Sequence, residues 1–190
     1  AGTMGMRELV RGIRDELLST QDTFCLQRAR LVTEAYRRYE GEAVPLKRAR
    51  AFAHVLRHMD LDLASNPIFA GNTSSRPRAW MLVPEHGFGQ APQVLLENEG
   101  LEGLLDGQIP PDLLEFWAER SAGGAAGIGH LAVDLDRVVH EGLEAMLAEL
   151  NAHGAELDAC GSEDEISRRA YRRAMAIALQ AVIDWSHRYA

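Results

Sequence analysis

No apolar run in this 190-residue sequence is long enough to span a bilayer, and no leader-type segment precedes the first amphipathic stretch. A cytoplasmic protein is therefore expected. Cysteine is scarce: Cys25 and Cys160 are the whole supply, with no Cys-x-x-Cys spacing, which excludes a thiolate metal knuckle and points to reduced thiols. Positive charge is also short, with 20 Lys and Arg against 28 Asp and Glu and a formal net charge of −8. That balance argues against nucleic acid as a partner, since phosphate binding draws on a net basic face. The arginines cluster in 28–38, 47–57 and 168–173, but each cluster lies on a helix with an apolar stripe, and solvated helix faces account for most of them. There is no internal repeat, low-complexity tract or Ser/His/Asp array. The glycine cluster GGAAGIG, 123–129, has neither the preceding strand nor the lysine of a phosphate-cradling loop.

What is present is a composition suited to one core, 46% hydrophobic and 25% charged. Helical spacing recurs along most of the chain. A first helix is predicted over 7–19, with Leu9, Val10, Ile13, Leu17 and Leu18 forming a stripe that needs a partner helix. A second runs over about 26–39, burying Ala29, Val32, Ala35, Tyr36 and Tyr39 and stopped by Gly41. Pro45 opens a third, whose inward face is Leu46, Ala49, Phe52, Ala53 and Leu56. Between about 60 and 92 prolines and glycines are too close for a helix. There Ile68 to Ala70 and Ala79 to Val83 read as short extended segments joined by a turn at Gly71-Asn72.

Pro110-Pro111-Asp112 begins another helix to about Arg120, burying Leu113, Leu114, Phe116 and Trp117. Asp134 is a natural N-cap for a helix reaching Leu150, its stripe running from Leu135 through Val138, Val139, Leu143, Met146 and Leu147. Ser162 and Glu165 form a capping box for a last helix, whose narrow stripe is rich in alanine and includes Ile166, Ala170, Ala174, Ile177, Ala178, Ala181, Val182 and Trp185. The fold class expected is mainly α, with a loop-rich, partly extended segment at about 60–92. Residues 1–6, AGTMGM, read as a vector remnant, and 7–190 as a single helical domain. The helical pattern is still running at Ala190, which reads as a cut in a longer chain.

His130 is the foremost candidate site residue. It follows Gly123, Gly124, Gly127 and Gly129, which free the main chain to present a side chain closely, and imidazole donates or accepts near neutral pH. The competing reading is that it braces the adjoining helix. His54 and His58, four apart with Asp60 or Asp62 nearby, have metal-ligand spacing but no committed third ligand, so no metal is expected. Arg76, Arg78 and Glu85 bracket the PRAWMLVPE segment; Arg78 is the one offered to a substrate carboxylate, although pairing within the protein is the better reading of all three. Trp80, Trp117 and Trp185 fall in apolar patterns and read as core. Asp134 and Asp136 read as a cap and a first-turn charge that complements the helix dipole.

Four blocks then resemble a known family: RARLVTEAYRRYEGEAVPLKRARAFAHVL, IFAGNTSSRPRAWMLVPE, GIGHLAVDLDRVVHEGLEAM and YRRAMAIALQAVIDWSHRYA. In this order they look like the amino-terminal region of glycyl radical enzymes, the pyruvate formate-lyase-like group, and within it the dehydratase, carbon–nitrogen lyase and decarboxylase branch. The resemblance implies part of an α/β barrel wrapped in helices, with a glycyl radical and a catalytic cysteine meeting at its centre. The radical is installed by a separate activase that uses S-adenosylmethionine and an iron–sulfur cluster. The family's Arg-Val-x-Gly-aromatic motif has no true match, because Arg137-Val138-Val139-His140 carries histidine at the glycine position. Its Cys-x-Glu loop is missing too, since Cys25 precedes Leu26-Gln27 and Cys160 precedes Gly161-Ser162.

The chain is therefore expected to be the front fragment of a glycyl radical lyase, inactive alone and without a cofactor of its own. It would supply outer helices and one pocket wall. In the resembling enzymes the position matching His130 lies near substrate, while a common aromatic eight residues earlier corresponds here to Ala122. The partners implied are a small-molecule substrate, the rest of the enzyme and the activating enzyme. The alternative is a non-catalytic helical interaction or oligomerisation module, a split or degenerate relative. Either way, faces left bare by the missing parts favour a homo-oligomer covered by the last helix or by the 67–84 segment.

Overall fold

A computed structural model describes residues 5–21, 23–61, 74–75, 78–86, 109–120, 134–155 and 163–189. In chain order these form α1 (Met6–Ser19), β1 (Thr23–Cys25), α2 (Gln27–Arg38), α3 (Val44–His58), β2 (Ala79–Met81), a 3-10 turn (Pro84–His86), α4 (Pro111–Ala118), α5 (Leu135–Glu141), α6 (Leu143–Ala155) and α7 (Glu163–His187). The protein is mainly helical, as its periodicity predicts. Two compact units share the chain: unit 1 comprises 1–30 and 60–126, and unit 2 comprises 31–59 and 127–190.

In unit 1, β1 and β2 pair in parallel, with Thr23 opposite Ala79, Phe24 opposite Trp80 and Cys25 opposite Met81. The extended reading of Ala79 to Val83 holds over 79–81, but its partner is a strand the periodicity did not reveal. Three residues cannot establish an alternation, even when Thr and Phe favour extended backbone. The segments at 68–70 and the 71–72 turn lie outside the described residues. Trp117, 1% exposed, anchors this unit with Leu113, whereas Leu114 is exposed. An eight-residue helix offers only about two turns, and one face of it cannot bury both neighbours. The expected partner for α1 is also absent among the described residues: none of its side chains is buried, and Met6, Val10, Leu17 and Leu18 are exposed.

Unit 2 is built on α3 against α7. Ala49, Ala53 and Val55 of α3 are buried, as are Ala174, Ala181 and Ile183 of α7. Small side chains let two helix backbones approach closely. The fit turns α3 so that Ala51 and Val55 face inward, while Phe52, expected inside, is exposed. The end of α3 is held by charge: Arg188, just past α7, donates from Nη1 to the Leu56 carbonyl at 2.5 Å and from Nη2 to that of Met59 at 2.7 Å. These carbonyls have no intrahelical partner, so a guanidinium satisfies them and complements the helix dipole. Arg57 and Asp184 add a bridge at 3.0 Å between the same helices.

The long helix expected from Asp134 to Leu150 is two helices. Gly142 takes φ 82°, a left-handed conformation that a side chain disfavours, and separates α5 from α6. The stripe on either side kept helical spacing, so periodicity alone hid the break. Asp134 does cap α5, accepting from the Arg137 amide at 3.1 Å. Ser162, the expected cap of α7, lies outside the described residues, and within α7 Ile166 is exposed. Ala181 is 0% exposed at the α3–α7 seam, so Ala181→Leu should cost about 1–3 kcal/mol by overpacking. Urea denaturation should show a lowered midpoint at unchanged m value.

Candidate functional site

The chemistry-bearing side chains of unit 1 gather around the short parallel pair. Extended backbone at Thr23–Cys25 feeds directly into α2, so Cys25 lies beside the amides that open that helix. Its thiol is buried and lies 3.1 Å from the Ser75 hydroxyl. Burial is the largest single influence and opposes the thiolate. The Ser75 side chain and the backbone around Ser75, Gln27 and Arg28 together outweigh it, holding the thiol below its ordinary range.

At the second residue of α2, Arg28 reaches the segment after β2. Its Nη1 donates to Glu85 Oε2 at 3.1 Å and to the Leu82 carbonyl at 3.4 Å, and Nη2 donates to Glu85 Oε1. This is a two-pronged guanidinium–carboxylate fork, with side chains only 19% and 17% exposed. Glu85 thus pairs within the protein, as expected, and the partner is Arg28. No spacing rule could have found that partner, which lies 57 residues away.

Arg78 is exposed and has φ 52°, the one non-glycine residue with positive φ among those described. Its Nη1 donates to the Leu17 carbonyl at 2.9 Å, and its own carbonyl accepts from the Thr23 amide at 3.2 Å. It therefore ties the end of α1 to the start of the strand pair. His130, its glycine loop, Ala122, Arg76 and Cys160 lie outside the described residues. Trp117 is core as expected; Trp185 is half-buried, edge-on to Tyr189 at 4.8 Å. Asp136 is an exposed first-turn charge beside His140, 3.3 Å from its Nδ1.

His54 and His58 do come together in unit 2, with ring centroids 4.2 Å apart. His58 Nδ1 is spent on the His54 carbonyl at 2.8 Å, and His54 Nε2 lies 3.2 Å from Glu34 Oε2. Among the described residues no group of three His, Cys, Asp or Glu side chains is placed to hold a metal ion. Nor is any described helix long and apolar enough to cross a membrane. Arg137 to His140, the superficial match to the radical-glycine motif, lies on α5, where Arg137 is paired to Glu141 at 2.9 Å and to Glu149.

The family described as pyruvate formate lyase-like matches residues 6–104 and 114–190, and the chain belongs to that family. Similar proteins are glycyl radical dehydratases, matched over their amino-terminal part. The trans-4-hydroxy-L-proline dehydratase of Clostridioides difficile is 23% identical over 98% of this chain and 27% of its own length. The (2S)-3-sulfopropanediol dehydratase of Klebsiella oxytoca is 24% identical over 95% of this chain and 26% of its own length. The B12-independent glycerol dehydratase of Clostridium butyricum, solved with glycerol bound, superposes with a TM-score of 0.76 at 20% identity, covering 99% of this chain and 28% of the other. The chain thus has the fold of that region and spans about a quarter of the length of these relatives.

The Cys25 thiol binds fewer protons folded than unfolded, so its contribution to stability rises with pH and is lost as pH falls through the folded value. Wild type should therefore gain stability relative to Cys25→Ala as pH rises toward the ordinary value of an unfolded thiol, about 8.5–9. Urea midpoints in reductant at several pH values would check this; a difference that does not change with pH would contradict it, whatever packing the substitution costs.

Proposed function

We propose that these residues form the amino-terminal helical wall of a glycyl radical dehydratase or related lyase, with His130 and, secondarily, Arg78 assigned to the substrate. The observation that carries this reading is the coverage. The family match and the dehydratase relatives extend over nearly all of the chain while the chain accounts for only 26–28% of them. The sequence holds no Cys-x-Glu loop and no Arg-Val-x-Gly-aromatic motif. In this reading the thiyl cysteine and the glycyl radical belong to other parts of the enzyme, a separate activase installs the radical, and these residues alone are inactive. What they contribute is binding and exclusion of water. An imidazole at His130 orients a substrate hydroxyl or carboxylate by hydrogen bonding, and the helices close one side of the chamber.

The uncovered stripe of α1, Met6, Val10, Leu17 and Leu18, supports a surface that meets further protein, either the rest of the enzyme or a second copy. It is also the observation that favours the alternative, a non-catalytic helical oligomerisation module. The two readings separate on the native polypeptide. An antibody to these residues should detect, in source cells, a product roughly four times the 21.0 kDa encoded here. Anaerobic activation should give that product a glycyl electron paramagnetic resonance doublet. A native product near 21.0 kDa without a radical signal would leave the module reading standing. In the activated enzyme His130→Ala should lower kcat/KM about a hundredfold, the scale of one lost polar contact to the transition state.

A further inference from the structure

Members of the arginine clusters at 28–38, 47–57 and 168–173 come together in unit 2. Arg38 from α2, Arg50 and Arg57 from α3, and Arg173 from α7 all line one cleft of about 510 Å³, together with His54 and His58. Its volume lies within the roughly 300–1,000 Å³ typical of small-ligand sites. Among the described residues no carboxylate lines it. Arg50 is paired through Nε with Glu42 at 2.8 Å and Arg57 through Nη2 with Asp184 at 3.0 Å, which fixes both side chains while engaging only part of each guanidinium fork. Neither Arg38 nor Arg173 has a carboxylate partner among the described residues. Arg38 and Arg50 both approach the Tyr39 ring, with guanidinium carbons 5.6 and 4.9 Å from its centroid. Glu42 already compensates Arg50, so the charge that an anion would relieve at this ring is that of Arg38.

The rest of the lining is of a different kind. Leu147 of α6 and Ile177 of α7 give the cleft an apolar side, and Asn151 and Gln180 give it neutral polar groups. Two guanidinium groups with no carboxylate partner among the described residues, with two more only partly engaged, exceed what one carboxylate can satisfy. They match instead the multiple oxygens and double charge of a phosphoryl group. The formal charge of −8 argues against a long polyanion as a partner of the chain, whereas a compact anion meets chiefly the local field of the arginines.

We propose that this cleft binds a phosphorylated small organic molecule, its phosphoryl group held by Arg38 and Arg173 with Arg50 and Arg57 adding charge, and its organic part lying against Tyr39, Leu147 and Ile177. The site is separate from His130 and does not depend on the chain being part of a dehydratase. The structure carries it on the meeting of arginines from three clusters in one cavity whose lining holds no carboxylate among the described residues.

Isothermal titration with ATP and with inorganic pyrophosphate, in low salt and without divalent metal, tests the assignment on the 190-residue chain. ATP should bind at one site per chain, more weakly as salt is raised, and Arg38→Ala with Arg173→Ala should weaken it by about tenfold or more. Asn151→Asp, an isosteric change that leaves every arginine in place, should weaken it similarly, while Arg14→Ala in α1 should not. Far-UV circular dichroism identifies a variant that has lost its fold, in which case Asn151→Asp carries the test alone. Absence of heat with both probes, or equal ATP affinity in wild type and Asn151→Asp, would overturn the proposal. So would a single-stranded oligonucleotide or a poly-glutamate peptide binding more tightly than ATP.

Discussion

Close approach of α3 to α7 is the constraint on which unit 2 rests. Alanines at 49, 53, 174 and 181 make that approach possible because they present almost no side chain between two backbones. Contact alone does not fix where one helix sits along the other. The Arg188 guanidinium does this by capping the Leu56 and Met59 carbonyls, and the Arg57–Asp184 bridge does so from exposed side chains. Exposed pairs contribute little energy individually, but a cap on otherwise orphaned carbonyls removes a larger penalty. Once the seam is set, the long side chains that flank it have few places to go. Arg57 and His58 on one helix and Arg173 and Gln180 on the other border the same cleft because alanines occupy the positions between them.

The strand pair in unit 1 works by a different economy. Three residues on each side give too few ladder bonds to hold by themselves, so the pair depends on what surrounds it. The Arg28–Glu85 fork and the Arg78–Leu17 contact tie the segments before and after β2 to α2 and α1. The left-handed backbone at Arg78 is the kind of strain a surrounding network has to hold in place. That network places a low-lying thiol, Cys25, beside Ser75 and the start of a helix. Membership of the pyruvate formate lyase-like family does not make Cys25 the family's catalytic cysteine, because the residues after it are Leu26 and Gln27 and its environment is closed.

Much of the architecture was legible beforehand, and the reasons are local. Helix positions follow from apolar spacing, from Pro45 and Pro111 near helix starts and from Asp134 at a cap, all of which act within a turn or two of backbone. Family membership was legible as four blocks in order, each a residue pattern carried along the chain. Orientation was less legible. Phe52 and Leu114 had the right character for the core, yet they face out, because the interior is set by which face a neighbouring helix covers. Gly142 broke a helix whose stripe ran unbroken through it, since an apolar period records side chains and carries no trace of a φ of 82°.

The sequence alone settled where most of the helices lie, several of the residues that start them, and to which family they belong, because those properties are written in neighbours along the chain. Tertiary structure decided the rest. It chose Thr23–Cys25 as the partner of β2, Arg28 as the partner of Glu85, and one cavity as the meeting place of Arg38, Arg50, Arg57 and Arg173. Each of these joins groups far apart in the chain, and only the packing of helix on helix or strand on strand brings such groups within the few ångströms over which charge and hydrogen bonding act.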